Sequence, residues 1–266
     1  MQAIVDDRDI AEIVGNIARG SAPWLFAFHG LYWACRSGIA PMFETYRNIE
    51  RDKRGFWCAS MVSSGHAILI TALSVRALMK DPGLVTRGDF FYTTPESTKA
   101  AEIFFGYIAS DLLLSVYYRA RWNGWVENLL HHVCILATWG IFLATDSGGF
   151  FTSVAHICEI TTPFVNQRWF LYEAGLKTTT GYFYNGLAML GLWFLSRIVL
   201  YTAAGVALVN SRDQLFQLGT PKATLVLFCY TAGFTLQYQW FYRIVKGALK
   251  SLRSRRNDTD KTTKQD

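Results

Sequence analysis

Trp125-Val-Glu-Asn-Leu-Leu-His131-His132-Val-Cys-Ile-Leu-Ala-Thr-Trp-Gly-Ile-Phe-Leu-Ala144 is an almost unbroken apolar run. A helix of about twenty apolar residues is long enough to cross the hydrocarbon of a bilayer. Two imidazoles inside such a run must face protein, water or a ligand, because lipid offers them no hydrogen-bond partner. The stretch therefore decides the fold class and marks a candidate site. Glu127 stands four residues before His131 and Asn128 four before His132, so each can meet its histidine along the helix. Adjacent helical residues point about 100° apart. The two rings cannot easily serve one atom together; one is free to face a cavity while the other fixes the bundle.

Outward from this run the same pattern recurs. Spanning segments are expected at 22–43, 56–79, 99–118, 124–145, 149–169, 178–209 and 221–245, giving an all-α polytopic membrane protein of about seven transmembrane helices. The composition agrees: 51% hydrophobic, 15% aromatic and only 17% charged, too apolar for a soluble core and its polar shell. Residues 1–20 read as a short amphipathic helix or tail. They carry Asp6, Asp7, Asp9 and Glu12 with no apolar h-region, so no secretory signal is expected and the first span should direct insertion. Asp81-Pro82-Gly83 and Thr94-Pro95 mark turns in the 80–98 loop. Pro221 fits entry to the last helix.

The basic residues test this topology. With seven spans, one side holds Arg47, Arg51, Lys53, Arg54, Arg119, Arg121, Lys177 and the tail's Lys246, Lys250, Arg253, Arg255, Arg256, Lys261 and Lys264. The other holds only Arg8, Arg19, Lys80, Arg87 and Arg212. The positive-inside rule then puts the C-terminus in the cytosol and the N-terminus in the lumen. The basic tail, 249–266, lacks interleaved aromatics, so no nucleic-acid partner is expected. The cysteines at 35, 58, 134, 158 and 229 lie in apolar runs without CxxC spacing and read as small buried hydrophobes.

Several spans carry polar residues that need partners. Tyr107, Asp111, Ser115 and Tyr118 share one helical face. His156 and Glu159 are three apart on the fifth span, and Pro163 should kink or end that helix before Asn166-Gln167-Arg168-Trp169. Arg197 lies well inside the sixth span, which also holds Asn185, with Tyr201 one turn beyond Arg197; it suits Asp111, Glu159 or an anionic headgroup. His29, Arg36 and His66 read as interhelical hydrogen-bonding groups. By ligand type, His132, His156, Glu159 and Asp111 could hold a metal, but none is expected.

Taken in order, Ser63-Ser64-Gly65-His66-Ala67, the Gly106-Tyr107 and Ser110-Asp111-Leu112-Leu113-Leu114 elements, Glu127-Asn128-Leu129-Leu130-His131-His132, and Glu159-Ile160-Thr161-Thr162-Pro163-Phe164-Val165-Asn166-Gln167-Arg168-Trp169-Phe170 resemble the TLC-domain family. That family groups ceramide synthases with translocon-associated and neuronal-ceroid-lipofuscinosis-related membrane proteins. The resemblance covers roughly 50–248, after a first helix at 21–43. The last element looks most like the branch of TLC-domain-containing protein 4. It implies an endoplasmic-reticulum membrane protein whose helical barrel encloses a lipid-accessible cavity.

In ceramide synthases the His pair serves N-acylation of a sphingoid base by acyl-CoA. Here Ile157 follows His156 where the synthases carry Asp, and Glu159 is the nearest carboxylate. The reading is therefore first a lipid-homeostasis protein that binds or regulates membrane lipids. The alternative is a ceramide-synthase-like acyltransferase, with acyl-CoA as cosubstrate and no other cofactor; a transporter or cargo receptor is the third. For the chemistry the expected residues are His131, His132, Asp111, His156 and Glu159. For lipid contact they are Tyr107, Asn128, Asn166, Arg168, Asn185 and Arg197.

Overall fold

The computed structural model describes residues 10–118, 122 and 124–262, without the side chains of residue 251 and of 253–262; every regular element among them is helical. In order they are α1 (Ile10–Ala34), the short α2 (Glu44–Asn48), α3 (Arg54–Lys80), the short α4 (Gly83–Thr86), α5 (Pro95–Tyr118) and α6 (Trp125–Ala144). Then come α7 (Gly149–Cys158), α8 (Thr162–Glu173), α9 (Thr180–Trp193), α10 (Tyr201–Asn210), the short α11 (Arg212–Leu215) and the long α12 (Thr220–Thr262). A π-helical stretch, Phe194–Leu200, joins α9 to α10 without a break.

Six of these close a ring. α3 packs on α5, α5 on α6, α6 on α12, α12 on α9, α9 on α8, and α8 back on α3. α7 lies inside, against α3, α5 and α10, while α1 runs outside along α5. A closed helical ring satisfies every backbone group within its own segments, which a bilayer demands. Among the described residues four stretches are long and apolar enough to cross a membrane: Arg51–Lys80, Pro95–Tyr118, Trp125–Ala144 and Thr180–Asn210. The expected segments 22–43, 149–169 and 221–245 are helical but do not reach that measure. Polar residues such as Arg36, Gln237 and Arg243 dilute two of them, and the 149–169 segment is broken.

Two boundaries differ from expectation. Residues 10–20 are not a separate tail; they open α1, which runs through Pro23 without ending. A neighbouring helix makes that tolerable, since close packing keeps the helix intact despite its missing hydrogen bond. The fifth span breaks at the 3-10 turn Glu159–Thr161, ahead of Pro163, which sits in the first turn of α8. Pro is welcome there, because its missing N–H would have had no helical partner. Asn166, Arg168 and Trp169 therefore lie within a helix, not beyond one. Arg8, Arg119, Arg121 and the tail side chains from Arg253 onward lie outside the described residues.

Local chemistry sets the turns. The Thr94 and Ser97 side chains accept each other's backbone N–H at 3.1 and 2.9 Å, a reciprocal cap ahead of Pro95. Gly148, at φ +72°, turns α6 into α7, and a Cβ there would meet the Phe142 ring at 2.5 Å. The tightest approach of backbones is between α1 and α5. A Cβ on Gly106 would fall 2.5 Å from the Ser21 carbonyl and 2.8 Å from the Leu25 nitrogen. Small residues let helices approach closely in membranes. Gly106→Val is expected to push α1 off α5 and cost about 1–3 kcal/mol as overpacking. Thermal unfolding in detergent reads this, with Gly140→Ala as control, since its Cβ meets nothing nearer than 3.8 Å. An unchanged midpoint for Gly106→Val would refute the close contact.

Candidate functional site

The paired histidines part company. His132 is buried, with Nδ1 2.8 Å from the Asn128 carbonyl and Nε2 3.1 Å from Asp111 Oδ2. A carbonyl can only accept, so Nδ1 carries a proton, and one further proton lies between Nε2 and the carboxylate. Asn128 Nδ2 in turn donates to Ser115 Oγ at 2.9 Å. The predicted face of α5 is thereby engaged against α6. At its ends, Tyr107 stacks on His66 with ring centroids 3.6 Å apart, and Tyr118 stacks on Trp122 and accepts from Tyr32. The Asn128–His132 pairing holds, through the backbone carbonyl. The Glu127–His131 pairing does not: Glu127 accepts from Arg243 of α12 at 2.8 Å.

His131 is half-buried and points the other way, edge-on to Trp240 of α12 at 5.5 Å. Neither of its ring nitrogens has a hydrogen-bond partner among the described residues. It stands at one end of a cavity inside the ring, lined by residues of α5, α6, α7, the π stretch, α10 and α12. Along α6 the lining runs from His131 to Phe142, about 16 Å at the helical rise. On α12 Gln237 and Val226 span the same length. About 80 Å³ is open to the centres of water-sized molecules, which spread along about 16 Å makes a slot about one hydrocarbon chain wide. Its length is close to the hydrocarbon depth of one leaflet, about 15 Å.

One end of the slot is polar and the other is not. Arg197 and Glu159 sit at the His131 end; Leu208, Val226, Phe142 and Phe151 close the other. Arg197 Nη2 lies 3.0 Å from Glu159 Oε1, Nε donates to Thr161 Oγ1 at 2.7 Å, and Nη1 donates to Gln237 Oε1 at 3.3 Å. The guanidinium also sits 4.8 Å from the Trp193 ring centre. The other Glu159 oxygen accepts from Thr162 at 2.7 Å. Two irregularities meet here: the 3-10 turn supplies Glu159 and the π stretch turns Arg197 inward. π-helical insertions often occur at functional sites.

The remaining predicted residues hold the bundle. His156 does not pair with Glu159. It is fully buried, accepting at Nε2 from Trp139 at 3.1 Å, with Nδ1 3.0 Å from Ser74 Oγ. Because Trp139 can only donate, a neutral His156 carries its proton on Nδ1. Asn166 donates to the Ser60 carbonyl and to Ser64 Oγ, both at 3.0 Å, tying α8 to α3. Asn185 donates to the Phe164 carbonyl, and Arg168 donates to the Tyr182 carbonyl while lying over that ring. Of the six residues expected to touch lipid, only Arg197 lines the slot; of the five chemical ones, His131 and Glu159 do. His29 bonds across to Ser110 of α5 as expected, but Arg36 donates to Tyr32, one turn before it, and lies over the Trp33 ring. Both nitrogens of His66 are buried with no hydrogen-bond partner among the described residues, its ring enclosed by Tyr107, Phe28 and Phe104. The five cysteines are free and buried.

Gln237, Thr138 and Tyr230 were not among the residues singled out from the sequence. Tyr201 and Tyr230 stack face to face at 4.8 Å. Gly205 and Gly233 make room for them, since a Cβ on either would meet a tyrosine hydroxyl at 2.6 or 2.8 Å. Gln237 could have been suspected as an amide inside an apolar run; Tyr230 carried no such signal.

Spanning helices closed into a ring, with ion pairs inside it, define a multi-pass helical membrane protein. The family model of the TLC domain matches residues 56–246, and the chain belongs to that family. It is 28% identical to TLC domain-containing protein 4-B of Danio rerio over 97% of each chain. It is 27% identical to TLC domain-containing protein 4-A of Xenopus laevis, over 82% of this chain and 87% of that one. Protein CLN8 of Rattus norvegicus is 23% identical over 76% and 71%. No solved structure gives a significant match.

Proposed function

We propose that this protein is a lipid-homeostasis protein that binds a membrane lipid by drawing one acyl chain into the slot. The observation that carries this is the slot's form: about 16 Å long, one chain wide, apolar at the Val226 end and polar at the His131 end. A chain that enters from the bilayer leaves one apolar surrounding for another, so packing against the lining holds it, and the polar end would fix its direction. The basic-residue asymmetry supports a cytosolic C-terminus, and family membership supports residence in the endoplasmic reticulum.

Thr138 lines the middle of the slot, so Thr138→Phe should block it. Mass spectrometry of lipids that survive purification is expected to find a species enriched on the wild type and at least fivefold depleted on Thr138→Phe. Equal lipid content in the two proteins would refute the proposal.

One observation favours a second reading, N-acyl transfer from acyl-CoA to a sphingoid base. His131 has both nitrogens unpaired beside the slot, as a general base requires. Reconstitution with acyl-CoA and a panel of lipid amines tests it; no product that disappears in His131→Ala would end it.

A further inference from the structure

Resting on the reading of the slot as a lipid site, we infer that it selects a single-chain lipid with an uncharged, hydroxyl-bearing headgroup over an anionic one. Arg197 and Glu159 are the charged lining residues, and they neutralise each other at 3.0 Å. Thr161 and Gln237 take further guanidinium N–H groups, and Thr162 occupies the second carboxylate oxygen. The nearby Asp111 is likewise engaged with His132. No charge at the polar end is left for a ligand.

A phosphate entering there would lose its water and gain no counter-ion, a cost that buried charges bear only when paired. An ammonium headgroup would meet the same difficulty, because Glu159 is already matched. His131, with neither ring nitrogen hydrogen-bonded among the described residues, offers uncharged hydrogen-bonding capacity at this end. A neutral imidazole offers one donor and one acceptor, and a hydroxyl is also both. The two are complementary without any change of charge. Of the partners the sequence left open for Arg197 (Asp111, Glu159 or an anionic headgroup), Glu159 is the one it meets.

The test compares two ligands with the same tail. Saturable binding of radiolabelled tetradecanol and tetradecyl phosphate is measured on the full-length protein in nanodiscs, with empty nanodiscs subtracted. The alcohol is expected to bind at least tenfold more tightly. Glu159→Gln leaves Arg197 uncompensated and should shift the ratio several-fold toward the phosphate. Equal affinities, or preference for the phosphate, would overturn the headgroup inference while leaving the slot intact as a chain site. Saturable binding of neither, or binding that Thr138→Phe leaves unchanged, would instead overturn the lipid-site reading beneath it. Should Glu159→Gln fail to fold, the wild-type ratio alone decides.

Discussion

Arg197→Met is expected to destabilise the protein by about 3–5 kcal/mol, the usual cost of removing one partner from a buried ion pair. The Arg197 side chain is 6% exposed and Glu159 16%, so the stranded carboxylate would find little solvent. Thr161 and Gln237 would lose their donor as well. The double variant Arg197→Met/Glu159→Leu removes both charges and should recover most of the loss, since well-packed apolar residues often replace a buried pair at no net cost. Thermal unfolding in one detergent, read across the single and double variants, measures the coupling. A double variant no more stable than Arg197→Met would show that the two charges do not support each other. The pair also fixes where the slot ends. Arg197 spans from the 3-10 turn to Gln237 of α12, so its loss should free α12 from the α7–α8 break.

Residue patterns carried most of the fold and less of the site, for different physical reasons. Apolar runs record which segments are helical in a bilayer, and each expected span is helical. They do not record how a helix deviates from regularity. Pro163 announced a break, because a proline is best placed in the first helical turn, yet it lay four residues from where the 3-10 turn begins. Nothing in Phe194-Leu195-Ser196-Arg197 announces a π stretch, although that stretch turns Arg197 toward Glu159. Partner choice was legible where partners lie on one helix, as for Asn128 and His132. It was not legible for Glu127, whose partner Arg243 is 116 residues away. Polar residues in spans were correctly marked as needing partners. Most found them in neighbouring helices and so became braces, which is why Asn166, Asn185 and Arg168 hold α8 in place and leave the slot to less conspicuous residues.

The adjacent histidines should separate under mutation as cleanly as they do in space. His132→Ala would strand the Asp111 carboxylate, while the Asn128 carbonyl keeps the helical N–H of residue 132. The expected loss is about 2–4 kcal/mol, somewhat under that of a fully enclosed pair, because the Asp111 side chain keeps 15% exposure. His131→Ala breaks no hydrogen bond and gives up an edge contact with Trp240. Its stability should fall by about 1 kcal/mol or less, while affinity for the slot's lipid should weaken about tenfold, the worth of a hydrogen bond to an otherwise unmatched group. Asp111→Asn, which keeps an oxygen acceptor for the ring, should fall between His132→Ala and wild type in stability and leave lipid affinity unchanged. Unfolding midpoints and tetradecanol binding on the same preparations decide the matter. If His131→Ala proved the destabilising change, or His132→Ala lost lipid at undiminished stability, the roles would be reversed. The 100° between neighbouring positions on a helix would then have been assigned the wrong way round.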